Sequence, residues 1–140
     1  MRKINEIIVH CTGTRPSHGT TVEAVRNYHV NHNGWRDIGY HFLVYWDGST
    51  HAGRPVALNG AHCANHNEGT IGICYVGGLL PNGKAADTRT KEQKQALEAL
   101  IVTLKACFPT ITKVSGHRQY DNKACPCFDA AAEYGHLVKD

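Results

Sequence analysis

No stretch of this chain approaches the roughly 20 apolar residues that a membrane-spanning helix requires, and the opening from Met1 to Glu6 lacks the apolar core of a signal peptide. The expectation is a protein made in the cytoplasm without a signal peptide and not inserted in a membrane. Blocks of like charge and low-complexity runs are also missing. With 41% hydrophobic and 19% charged residues, the composition excludes a disordered or fibrous chain. The formal net charge of +3 is small and spread along the sequence. Nucleic-acid binding, which draws on clustered Lys and Arg, is therefore not expected, whereas a polyanionic polymer remains compatible. No repeat, linker or second zone of composition divides the 140 residues, which predict one domain over 1–140.

What the chain does have is six cysteines and ten histidines. The cysteines could form three bridges, but without an export signal they read mostly as thiols. The histidines make metal or acid–base chemistry worth looking for, because neutral imidazole binds metals and titrates near neutral pH.

Hydrophobic patterning predicts an α/β protein. Ile4 to Thr12 reads as a strand, with Ile7, Ile8 and Val9 as a β-branched run of the kind buried on both faces. Thr20 and Glu23 have capping-box spacing ahead of a helix that reaches His32. Tyr40 to Trp46, the turn Asp47-Gly48, and Ser49 to Ala52 read as a hairpin. Gly53 to Glu68 reads as a long loop, and Thr70 to Val76 as a buried strand ended by Gly77-Gly78. Thr90 and Gln93 cap a helix whose apolar face is Leu97, Leu100, Ile101 and Leu104. Lys113 to Ser115 is a short strand, Gly116 to Asp129 a loop, and Ala130 to Val138 a weak helix. Strands and helices in this order predict a sheet with helices packed on it.

His10, His117 and Cys125 lie far apart in sequence, yet each falls at the mouth of a predicted element. Two imidazoles and a thiolate suit zinc and leave a fourth position for water. Each residue taken alone also fits a plainer role. A histidine at a strand end can be a hydrogen-bonded structural group, Cys125 can be a small buried hydrophobe, and spacing leaves Cys127 open as an alternative sulfur ligand. Tyr40 and Lys123 are a phenol and an ammonium that could hydrogen-bond an attacking water or hold an oxyanion; their plain alternatives are a half-buried strand tyrosine and a solvated lysine. His62 and His66 read as groove or loop hydrogen-bonding residues, and His18, His29, His32, His41, His51 and His136 as surface or structural ones.

Several motifs now combine: Val9-His10-Cys11-Thr12, Gly34 to Phe42 (Gly-Trp-Arg-Asp-Ile-Gly-Tyr-His-Phe), Trp46-Asp47-Gly48, Gly53-Arg54, His66-Asn67 followed by Ile71-Gly72-Ile73, Val76-Gly77-Gly78, Gly116-His117-Arg118, and Lys123-Ala124-Cys125-Pro126. In this order they resemble the type-2 N-acetylmuramoyl-L-alanine amidase family, which includes the small phage lysozyme of T-odd coliphages and the animal peptidoglycan recognition proteins. The likeness runs from about Ile4 to Asp129.

The resemblance implies a central mixed β-sheet flanked by helices, and one zinc ion per chain held by His10, His117, Cys125 and water. It implies Tyr40 and Lys123 as the catalytic pair, Lys123 matching the phage-type version where many recognition proteins have a threonine. His62, His66 and Asn67 would line a groove for the stem peptide. The expected reaction is hydrolysis of the amide between the lactyl group of N-acetylmuramic acid and L-alanine in peptidoglycan, by a monomeric phage or prophage endolysin that reaches the wall after release. The alternative is a non-catalytic peptidoglycan-binding module. Cys127, where relatives usually have a small non-thiol residue, and the loop around Cys63 depart from the family pattern.

Overall fold

The computed structural model describes all 140 residues. Five strands form one mixed sheet: β1 (Glu6–Cys11), β2 (Phe42–Val44), β3 (Thr50–Ala52), β4 (Thr70–Tyr75) and β5 (Lys113–Gly116), in the order β3-β2-β4-β1-β5. β1 pairs in parallel with both β4 and β5, β2 is parallel to β4, and only the β2–β3 hairpin is antiparallel. Three α-helices accompany the sheet: α1 (Val22–Asn31), α2 (Lys91–Cys107) and α3 (Ala130–Tyr134), with short 3₁₀ turns at His117–Gln119 and Gly135–Val138.

The two-residue alternation of a strand assigns the central strands' side chains to opposite faces. Ile7, Val9 and Cys11 of β1 join Ile71, Ile73 and Tyr75 of β4 in the main core, together with Leu97, Ile101 and Leu104 of α2. The intervening residues Ile8 and His10 face the other way. On that side Leu43 and Cys74 pack with Val22 and Ile38 in a smaller cluster against which Tyr40 rests. Register places His10 beside Cys74 and Ile8 beside Gly72. Burial of β1 and β4 on both faces accounts for their continuous apolar sequence.

The capping box of α2 forms as the spacing predicts: Gln93 N–H donates to the Thr90 hydroxyl and Thr90 N–H to the Gln93 side-chain oxygen. At α1 the cap falls one residue later than expected. Thr21, not Thr20, accepts from Ala24 N–H, so Thr20 and Glu23 make no reciprocal pair. The last helical stretch splits into α3 and a 3₁₀ turn at Gly135. Asp129 caps α3, and behind it Arg89 binds Asp87 and Glu133 with its guanidinium 3.3 Å over the Phe128 ring, tying the chain end to the connector before α2.

Candidate metal centre and active site

In open sheets with parallel strands, sites form beyond the carboxyl ends of the strands. Here β1 ends in His10 and Cys11, and β5 runs directly into the 3₁₀ turn that begins with His117. Because β1 and β5 are parallel neighbours, two histidines 107 positions apart meet there, with Nδ1 of His10 3.1 Å from Nδ1 of His117. Cys125 completes the group, and the three donor atoms all lie within 4.8 Å of one another.

The loop carrying Cys125 is pinned from several sides. Arg118 N–H donates to the Cys125 carbonyl at 2.8 Å, and the Tyr75 hydroxyl to the Pro126 carbonyl at 2.7 Å. Cys11 N–H donates to the Cys125 sulfur at 3.2 Å. Cys127 turns away, its thiol 3.6 Å from the Gly78 carbonyl, so of the two sulfurs it is Cys125 that faces the histidines. All six cysteines are free thiols.

The donor chemistry, two imidazoles and a thiol, fits zinc. Two imidazole nitrogens bound at the usual zinc distance would sit roughly 3.3 Å apart, close to the spacing seen here. Burial, reinforced by His62, His117 and Lys123, holds His10 well below the ordinary imidazole range, and burial together with Lys123 lowers His117. Both rings are thus neutral at neutral pH and keep a lone pair for a metal.

Tyr40 packs its ring 5.3 Å from that of His10. Its backbone is fixed by Arg54, whose N–H donates to the Tyr40 carbonyl while its guanidinium binds the carbonyls of Asp37, Ile38 and Asn59. Burial, then the nearby Cys74 and Cys125 sulfurs, push the phenol well above its usual range, so it stays protonated. Lys123 is exposed and borders the same hollow as His117, its ammonium 3.7 Å from Asp121 Oδ2. The same carboxylate oxygen lies 3.6 Å from Nε2 of His117.

Tyr40 borders one hollow of the surface, and His117 and Lys123 border another. One of about 410 Å³ is lined by Thr12, Thr14, Tyr28, His29 and Tyr40. The other, of about 310 Å³, is lined by Trp35, His62, Cys63, Asn67, His117, Asp121 and Lys123. Of the three residues expected along a groove, His62 and Asn67 border the second hollow and His66 does not; its ring stacks 3.9 Å from that of Tyr120. Asn67 shapes the loop, its side-chain oxygen accepting from the N–H groups of His62 and Cys63. His62 is buried, with both ring nitrogens engaged, by His10 and by Thr70.

Sequence reasoning passed over Asp121 and Thr70. The four-residue interval from His117 to Asp121 was a usable signal, whereas the role of Thr70 depends on a ring that reaches it from the preceding loop.

Known proteins share this architecture. The solved N-acetylmuramoyl-L-alanine amidase LysC from Clostridium intestinale superimposes with a TM-score of 0.78 at 27% identity, covering 94% of this chain and 82% of that one. Bumblebee PGRP-SA gives 0.79 at 28%, covering 95% and 81%. In sequence, the endolysin of Escherichia phage T7 is 40% identical over 123 residues, 88% of this chain and 80% of its own length. The family model for N-acetylmuramoyl-L-alanine amidase matches residues 1–128, a span that takes in both histidines and the cysteine at the strand ends, and the chain belongs to that family.

Proposed function

We propose that this amidase is zinc-dependent and cleaves the bond between the lactyl group of N-acetylmuramic acid and L-alanine in peptidoglycan, as a phage endolysin acting on the cell wall. The convergence of His10, His117 and Cys125 at the strand ends carries the reading. Support for the endolysin role comes from the 40% identity to the T7 protein, and support for muropeptide binding from a related recognition-protein ectodomain complex solved with tracheal cytotoxin. The functional unit is the whole chain as one domain, working as a monomer.

His10, His117 and Cys125 would hold the ion, which when bound would supply Lewis acidity and activate a water. The protonated Tyr40 phenol donates a hydrogen bond at the reacting centre, since its surroundings disfavour the phenolate. The Lys123 ammonium, exposed and held only by Asp121, swings to the carbonyl oxygen as negative charge gathers there. Asp121 keeps His117 and Lys123 in one array. Asn67 contributes to the wall of the stem-peptide groove.

The test is to incubate the purified protein with sacculi, with and without a zinc chelator, and look by mass spectrometry for stem peptides with a free L-alanine amino group. Release that stops with chelator and returns with zinc supports the reading. A protein that binds zinc and wall but releases nothing is a recognition module instead.

A further inference from the structure

His62 reaches back beneath His10. Its Nδ1 lies 2.8 Å from Nε2 of His10, and its own Nε2 lies 3.2 Å from the Thr70 hydroxyl. That hydroxyl has one proton, and two carbonyl oxygens, which can only accept, lie within its reach: His66 at 2.8 Å and Asn67 at 3.2 Å. With its proton given to a carbonyl, Thr70 can only accept from His62. Neutral His62 must then carry its proton on Nε2 and present a lone pair at Nδ1. This in turn requires His10 to carry its proton on Nε2 and leaves His10 Nδ1, the atom facing His117, as the lone pair.

The fold makes room for this arrangement. Gly72 of β4 lies under the His62 ring, and a Cβ there would stand 2.4 Å from the ring's Cγ. The loop end is clamped by Asn67 through the N–H groups of His62 and Cys63.

We propose that His62 is a positioning residue for the metal: through the chain Thr70–His62–His10 it fixes the tautomer and orientation of His10 so that Nδ1 is permanently ready to bind zinc. Outer partners of ligating histidines commonly act in this way, and their removal costs about 10–100-fold in metal affinity. The inference rests on the zinc reading above. It gives His62 a role directed at the ion in place of the substrate contact that the family resemblance implies.

The experiment is a zinc competition titration against a chromophoric chelator, on the full chain, comparing wild type with His62→Ala, His62→Asn and Thr70→Val, with circular dichroism to confirm that each is folded. His62→Ala should bind zinc about 10–100-fold more weakly. His62→Asn, whose side-chain oxygen can still accept from His10, should recover most of that loss. Thr70→Val, which keeps the buried volume, should weaken binding as well. The absorption of the cobalt-substituted protein should change in His62→Ala and return toward wild type in His62→Asn. Wild-type affinity in a folded His62→Ala, or an Asn variant no better than the Ala one, overturns the positioning role and leaves the zinc reading standing. A wild type that takes up no zinc overturns that reading itself.

Discussion

Asp121 Oδ2 lies 3.6 Å from Nε2 of His117, the ring nitrogen opposite the one that faces His10. A carboxylate in that position orients a ligating imidazole and raises its basicity. Asp121→Asn should therefore weaken zinc binding about tenfold, while thermal stability of the metal-free protein stays nearly unchanged because Asp121 is exposed. Equal zinc affinities in a chelator competition would remove Asp121 from the site.

Lys123 pairs with Asp121 and is not one of the three candidate donors, so its loss should spare zinc binding and cost the reaction. Lys123→Ala is expected to retain stoichiometric zinc by atomic absorption and to lose about 10²–10³-fold in turnover, the usual cost of removing one donor to a developing oxyanion. Wild-type turnover would show that the ammonium takes no part.

Gly72→Ala should damage both stability and the metal site. The added methyl would press on the His62 ring in a layer where β4 is buried throughout, so overpacking should cost about 1–3 kcal/mol. Zinc affinity should fall with it. A urea titration together with a zinc titration checks both, and an unperturbed protein would mean that the ring is free to move aside.

His41 gives a pH dependence that is independent of the metal. Its Nδ1 accepts from Gly72 N–H and its Nε2 lies 2.8 Å from the Leu58 carbonyl, and burial holds it down at about 4. The folded value lies below the unfolded one of about 6.5, so the unfolded chain binds the proton first. The stabilisation from neutral His41 is complete above about pH 6.5 and is lost as pH falls toward 4, on the order of 3 kcal/mol in all. Urea unfolding of metal-free protein at several pH values should show this slope, reduced in His41→Gln. The same slope in both proteins would assign it to other groups.

Periodicity and capping chemistry located α2, its Thr90–Gln93 box, the β2–β3 hairpin and the buried strands β1 and β4 within a residue or two. The one-residue shift of the α1 cap arose because Thr20 and Thr21 are chemically equivalent acceptors, and only the path of the preceding loop decides between them. Sheet order was not legible, since nothing in the local pattern of β5 says that it pairs with β1. For the same reason spacing alone could not choose between Cys125 and Cys127. Their difference is set by a turn in which Cys127 has φ +72°, directing its sulfur to Gly78. His62 could be singled out from the sequence, but its direction depends on a glycine ten residues later in a strand that it crosses.

The central position of β1, between β4 and β5, also has a consequence during synthesis. Of the candidate donors, His10 lies on β1 and the other two follow β5, so a ribosome completes the strands of the sheet before the second and third donors emerge. A nascent or truncated chain ending before His117 contains all five strands in sequence, yet it carries only His10 of the candidate donor set. The complete donor set is thereby reserved for products that extend past Cys125.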